Sequence, residues 1–199
     1  EFHLDTTLDA QVLTQENNTW YTVANTNFSN FGLTKEQAFQ VWRGYRDDHP
    51  LYYWLLDFIY SSDEIITITY SDYVDGDDRA DYNEQIYKAI DEYISEASEE
   101  TSLYAKSSVY FDDIIRACKY KTFEGTKPFT KLYRECTIIG PLLDKSAFNS
   151  GFAKLYQLLL NYEGIENWFA WNETPELIAW NLVKLDDENW YWYDLAKAD

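Results

Sequence analysis

The chain has 199 residues, 46% of them hydrophobic and 19% aromatic, enough for one medium domain or a core domain with a lead-in segment. Its 35 acidic and 16 basic residues give a net charge of −19, a field that repels phosphate backbones and anionic membrane surfaces and so argues against nucleic-acid binding. No apolar run of about 18 residues is present, so no membrane insertion is expected, and there is no signal-peptide pattern.

The first residue is Glu rather than Met, which reads as a processed or excised piece of a longer chain. Residues 1–30 are polar and rich in Asn and Thr and read as an extended lead-in; Asn27 opens an Asn-Phe-Ser glycosylation sequon. Residues 33–50 read as a helix: Thr34 and Gln37 have capping-box spacing, Ala38, Val41, Trp42 and Tyr45 form its apolar face, and Pro50 ends it. Two β-branched and aromatic runs, 51–60 and 64–73, read as strands joined by a Ser-Ser-Asp-Glu turn. The acidic stretch 72–81 fails as a calcium loop. With Gly76 in the sixth position, Tyr73 and Tyr82 fall where oxygen ligands are needed, so a solvated turn is expected.

Residues 79–98 read as a charged helix with Ile86, Ile90, Tyr93 and Ile94 inward, and 102–123 as a second helix capped by Ser102. Gly125–Phe129 breaks the pattern. The segment 130–148 is partly helical and interrupted at Gly140-Pro141. Phe152, Leu155, Tyr156 and Leu159 then recur at helical spacing, with Gly164 as the C-terminal stop. Three short strands, 165–171, 177–185 and 189–195, close the chain, with an acidic turn at 186–189. Helices with a hairpin, a further helix and antiparallel strands predict an α+β fold. The two cysteines, Cys118 and Cys136, lie in no metal-ligand pattern; they form either one disulfide or, the preferred reading, two buried free thiols. No metal and no cofactor is expected.

Asn149 stands at the mouth of the helix that runs to about 163, a place where free N–H groups and the helix dipole stabilise an anion. Asn has no titrating proton, and its plain structural reading is a helix N-cap. A nucleophile on the first turn of a helix, packed on a sheet that supplies a base and its orienting group, is the layout of papain-like chemistry. The stretch from Thr137 to Ala153, including Gly140 and Gly151, resembles without gaps the region around the catalytic cysteine of bacterial transglutaminase-like domains. There the family reads Ser-Ala-Tyr-Gly-Ala-Leu, a variable stretch, then Val-Cys-Gln-Gly-Tyr-Ala. Residues 178–199 resemble its His-Ala-Trp-Asn-Val, turn, Trp-Tyr, Val-Asp-Thr-Trp region, and the Asp-His-Pro run at 48–50 is similar to a stretch of clostridial members. The likeness spans residues 31–199, which implies one transglutaminase-like, papain-like domain after the 1–30 lead-in, one that lacks a C-terminal strand relatives usually carry.

Carried over position by position, the resemblance implies a degenerate triad. Asn149 stands where the family has Cys, Ile178 where it has His, and Asp194 matches its Asp. An amide cannot form an acyl-enzyme and Ile cannot accept a proton, so a pseudoenzyme is expected. Ser150 or Ser146 could substitute only with a base nearby, and the only histidines are His3 and His49. Asp194 reads first as a relic that caps or hydrogen-bonds to backbone or to Trp180, and second as a ligand contact in the former cleft. Trp168, Trp171, Trp180, Trp190 and Trp192 cluster near the C-terminus. They read either as core plus ordinary surface, or as an aromatic groove in which Trp168, Trp171, Trp180 and Trp192 bind protein or carbohydrate. The resemblance implies a binding module of a larger multidomain, secreted or cell-surface protein of a Gram-positive bacterium. The alternatives are an active enzyme with a non-standard nucleophile and a structural spacer.

Overall fold

The computed structural model describes residues 11–15, 18–69, 76–122, 134–172 and 178–198. The expected break at 125–129 and His3 lie outside them. The fold is α+β, with four α-helices and three small sheets among the described residues. Two compact units divide the chain, Glu1–Glu84 and Gln85–Asp199.

In the first unit, β1 (Gln11–Gln15) and β2 (Asn18–Asn27) form antiparallel strands within the expected lead-in. They join β3 (Asp57–Ser61) and β4 (Glu64–Thr69) in one sheet of order β1-β2-β4-β3. Helix α1 (Lys35–Asp48) starts as its sequence dictates. The Gln37 N–H donates to the Thr34 hydroxyl at 3.3 Å, and the Thr34 N–H donates back to Gln37 Oε1 at 2.9 Å. Its packing face differs from the expected one. Ala38, Phe39 and Trp42 meet the sheet: Trp42 lies 4.9 Å and Phe39 5.3 Å from the Phe58 ring, and Trp42 Nε1–H donates to Thr67. Val41 is 62% exposed, and Tyr45 turns outward to stack on His49. The expected strand over 51–60 is strand only from Asp57. Its first part winds through turns closed by Tyr52 N–H to His49 O and Leu55 N–H to Tyr52 O, where Leu51 and Tyr53 are buried.

Helix α2 (Gly76–Glu96) contains the division between the units and buries Ile86, Ile90 and Tyr93 of the four residues expected inward, with Ile94 half-buried. In the second unit, α3 (Leu103–Ala117) is capped by Ser102, whose hydroxyl accepts from the Ala105 N–H. Strands β5 (Lys119–Tyr120) and β6 (Ser146–Ala147) pair in parallel. Pro141 does not interrupt helix here; it sits in the first turn of a short π-helical segment, Gly140–Asp144, where its missing N–H costs nothing.

Helix α4 (Asn149–Tyr162) is the centre of this unit. Every residue from Gly151 to Leu160 is buried, including Lys154 and Gln157, so its surroundings cover more than the one apolar stripe its spacing implies. The sheet β7 (Asn167–Asn172), β8 (Ile178–Lys184), β9 (Trp190–Tyr193) packs on one side of it. Helix α3 packs against another part, where the Tyr156 hydroxyl donates to Ser107 O and Lys106 pairs with Glu163. Glu163 is the C-cap, and Gly164, in the left-handed region at φ 68°, is the residue after it. Both cysteines are free thiols, Cys118 buried and Cys136 half-buried, so neither the disulfide nor full burial of both is observed.

Candidate functional site

The mouth of α4 is built by the chain on either side of it. The Phe148 N–H donates to Glu135 O at 3.0 Å, and the Lys121 N–H donates to Ala147 O at 2.9 Å. These bonds hold Phe148 extended at φ −85°, ψ 173°, which makes Phe148 the N-cap residue. Asn149 is therefore already helical, and the helix has no side-chain cap. This corrects the expectation of an Asn149 cap. Its amide Oδ1 instead accepts a hydrogen bond from the Tyr120 hydroxyl of β5 at 2.9 Å. Nothing in the sequence flags Tyr120, which lies 29 positions away.

The sheet divides cleanly into two faces. Asn181 Nδ2 donates to Ala153 O in α4 at 3.0 Å, Asn167 Nδ2 donates to Asn161 Oδ1, and Lys154 lies over the Phe169 ring. With Ala179 and Val183 buried beside Asn181, strand alternation fixes the α4 face. Ile178, Trp180 and Leu182 alternate with these residues and belong to the opposite set. Trp171 pairs with Ala179 and so falls on the α4 face. The expected grouping of Trp168, Trp171, Trp180 and Trp192 is thus corrected: Trp171 leaves it and Trp190 joins it. Trp168 lies 5.5 Å from Trp190, and Trp180 stacks on Trp192 at 4.6 Å with only 10° between the rings.

Asp194 follows β9 and opens a short 3-10 turn, Leu195–Lys197. Its side chain is only 8% exposed, its turn has no side-chain cap, and among the described residues neither carboxylate oxygen has a hydrogen-bond partner. Lys197 Nζ forms an ion pair with it at 3.3 Å. The expected hydrogen bond from Asp194 to backbone or Trp180 is therefore not made. The neighbouring Tyr193 ring packs on Tyr156 and Phe111, and burial pushes both tyrosine hydroxyls up, so they stay neutral.

The three positions carried over from the resemblance thus sit on the first turn of α4, at the start of β8 and just past β9, with no hydrogen-bonded chain between them among the described residues. His49 is in the first unit, at the end of α1; one of its faces stacks on Tyr45, and Nδ1 lies 2.7 Å from Tyr45 O. Among the described residues, no cluster of His, Cys, Asp and Glu forms a metal site, and no helix is long and apolar enough to cross a membrane.

Helix α4, with Asn149 on its first turn, packs on an antiparallel sheet in which Ile178 opens β8 and after which Asp194 follows β9. No family model and no curated protein matches the chain. Some solved structures do, at low identity. One is a TGase (14% identity, TM-score 0.46, covering 70% of this chain and 43% of that one). A second is a cysteine-protease candidate from Cytophaga hutchinsonii (15% identity, TM-score 0.42, covering 56% and 38%). A third is a protease candidate from Parabacteroides distasonis (13% identity, TM-score 0.43, covering 68% and 30%). The chain therefore spans less than half the length of each of these proteins.

Proposed function

We propose that the chain is a transglutaminase-like module without acyl-transfer chemistry, which acts by binding protein or carbohydrate within a larger secreted or cell-surface bacterial protein. The observation that carries this reading is the state of the two polar groups left at the triad positions. Acyl transfer needs a nucleophile activated by a base, and a base oriented by a third group. Position 149 offers an amide whose oxygen is occupied by the Tyr120 hydroxyl. Position 178 offers an alkyl chain, and among the described residues the Asp194 carboxylate has the Lys197 ion pair but no hydrogen-bond donor. A carboxylate that once oriented an imidazole and lost it would be left in this condition. The exposed tryptophans of the sheet support the binding role, because amphipathic rings give contact area without catalysis.

The test is amine incorporation into, and ammonia release from, a glutamine peptide, together with peptide cleavage. No turnover is expected from the wild type. Turnover that persists in Asn149→Ala would refute the reading and place the chemistry on another nucleophile.

A further inference from the structure

The face of the β7-β8-β9 sheet turned away from α4 carries Trp168, Trp180, Leu182, Lys184, Trp190 and Trp192, grouped by pairing register and alternation. Trp168 is 62% and Trp192 60% exposed, and Trp190 is exposed as well. Single exposed apolar residues are ordinary, but tryptophans gathered on one face of a small sheet mark an interaction site.

The charge around the face selects the occupant. Lys184 is the cation on it, and two carboxylates hold it, Glu188 at 2.6 Å and Glu166 at 3.6 Å. In the turn beside it Asp186 is taken by the N-terminus of α3 and Asp187 by Tyr191 and Asn189, so Glu166 and Glu188 are the carboxylates that border this face. The rim is therefore net negative, on a chain of charge −19. Indole faces are the strongest side-chain partners for an ammonium or guanidinium. A sugar would need amides or carboxylates free to bond its hydroxyls, whereas the polar groups on this rim are largely engaged with one another. Glu166, 58% exposed and loosely paired, remains open to an incoming cation.

From this we infer that the outer tryptophan face docks a basic peptide segment, its Lys or Arg side chains lying over Trp168 and Trp192 and against Glu166 and Glu188. The inference rests on the binding-module reading and names the ligand class. Long-range attraction by the acidic chain brings the segment in, and the rings hold it.

The experiment titrates the whole chain with an oligolysine peptide, a Gly-Ser peptide of equal length, and soluble cello- and chito-oligosaccharides, read by tryptophan fluorescence and calorimetry at low and high salt. Oligolysine is expected to bind and to weaken with salt. Trp168→Ala with Trp192→Ala should cut its affinity about tenfold at an unchanged far-UV spectrum. Glu166→Gln with Glu188→Gln, which leaves the rings in place, should weaken it and flatten the salt dependence. Saturable oligosaccharide binding without oligolysine binding, oligolysine affinity indifferent to both double variants, or no binding of any probe would overturn the inference. Ammonia release from a glutamine peptide, measured on the same preparation, reads the non-catalytic proposal separately. Its appearance alongside intact peptide docking would sink that proposal and leave the docking face standing.

Discussion

Gly151 lies so close beneath Glu135 that a Cβ built on it would fall 2.3 Å from the Glu135 carbonyl oxygen. That oxygen also accepts from the Phe148 N–H, so it cannot swing away without releasing the cap of α4. Gly140 is similarly enclosed, its Cβ position 2.6 Å from Ser146 O. Gly151→Ala and Gly140→Ala should each cost about 1–3 kcal/mol or more in urea denaturation. Gly44→Ala in the interior of α1 has open space around it and should instead gain about 0.5–1 kcal/mol. A neutral Gly151→Ala would show that the mouth of α4 is not held by this contact.

These two glycines explain why the segment 137–153 is legible as a motif: backbone crosses backbone there, and only Gly fits. Other features were equally legible. The Thr34 capping box and the Ser102 cap are local, and the last three strands follow from alternation and the acidic turn. What the sequence hid depends on partners distant along the chain. Whether α1 buries Val41 or Phe39 is decided by where the hairpin ring of Phe58 sits. Asn149 looks like a cap until Glu135 pins the residue before it. One signal lies in the sequence itself: Trp168 and Trp171 are three apart and cannot share a strand face.

Asp186, in the β8–β9 turn, reaches the N-terminus of α3. The Tyr104 N–H donates to it at 2.9 Å and the Leu103 N–H at 3.1 Å. These bonds, Tyr104 first, hold its carboxyl below the usual range. A lowered folded-state pKa gives stability that is present above the unfolded pKa and is lost as pH falls through the folded one. Thermal melts from neutral to acid pH should therefore show Asp186→Asn less stable than wild type at neutral pH, with the two curves converging in acid. Parallel curves across the range would remove the charge from the argument.

Asp194 makes the opposite case. A buried carboxylate knitted into a network would cost about 3–5 kcal/mol to break. Here both oxygens lack hydrogen bonds among the described residues, and the pairing cation, Lys197, is largely exposed and worth little. Asp194→Asn should leave stability within about 1 kcal/mol of wild type or raise it. A loss of several kcal/mol in urea denaturation would mean that the carboxylate is firmly bonded.

Asn149→Cys asks whether the mouth of α4 can stabilise an anion. The helix N-terminus favours negative charge at this position, and the Tyr120 hydroxyl, now donating to the Asn149 amide, can donate to a thiolate. The introduced thiol should alkylate with an apparent pKa well under the free-cysteine value of about 8.5. Adding Tyr120→Phe removes one donor and should move it back up. The measurement is the iodoacetamide rate against pH, with the adduct mapped by mass spectrometry to separate it from Cys118 and Cys136. A pKa at the free-thiol value in both variants would mean that the mouth of α4 no longer favours an anion. A lowered one would show that the helix N-terminus, with the Tyr120 hydroxyl beside it, stabilises an anion at this position.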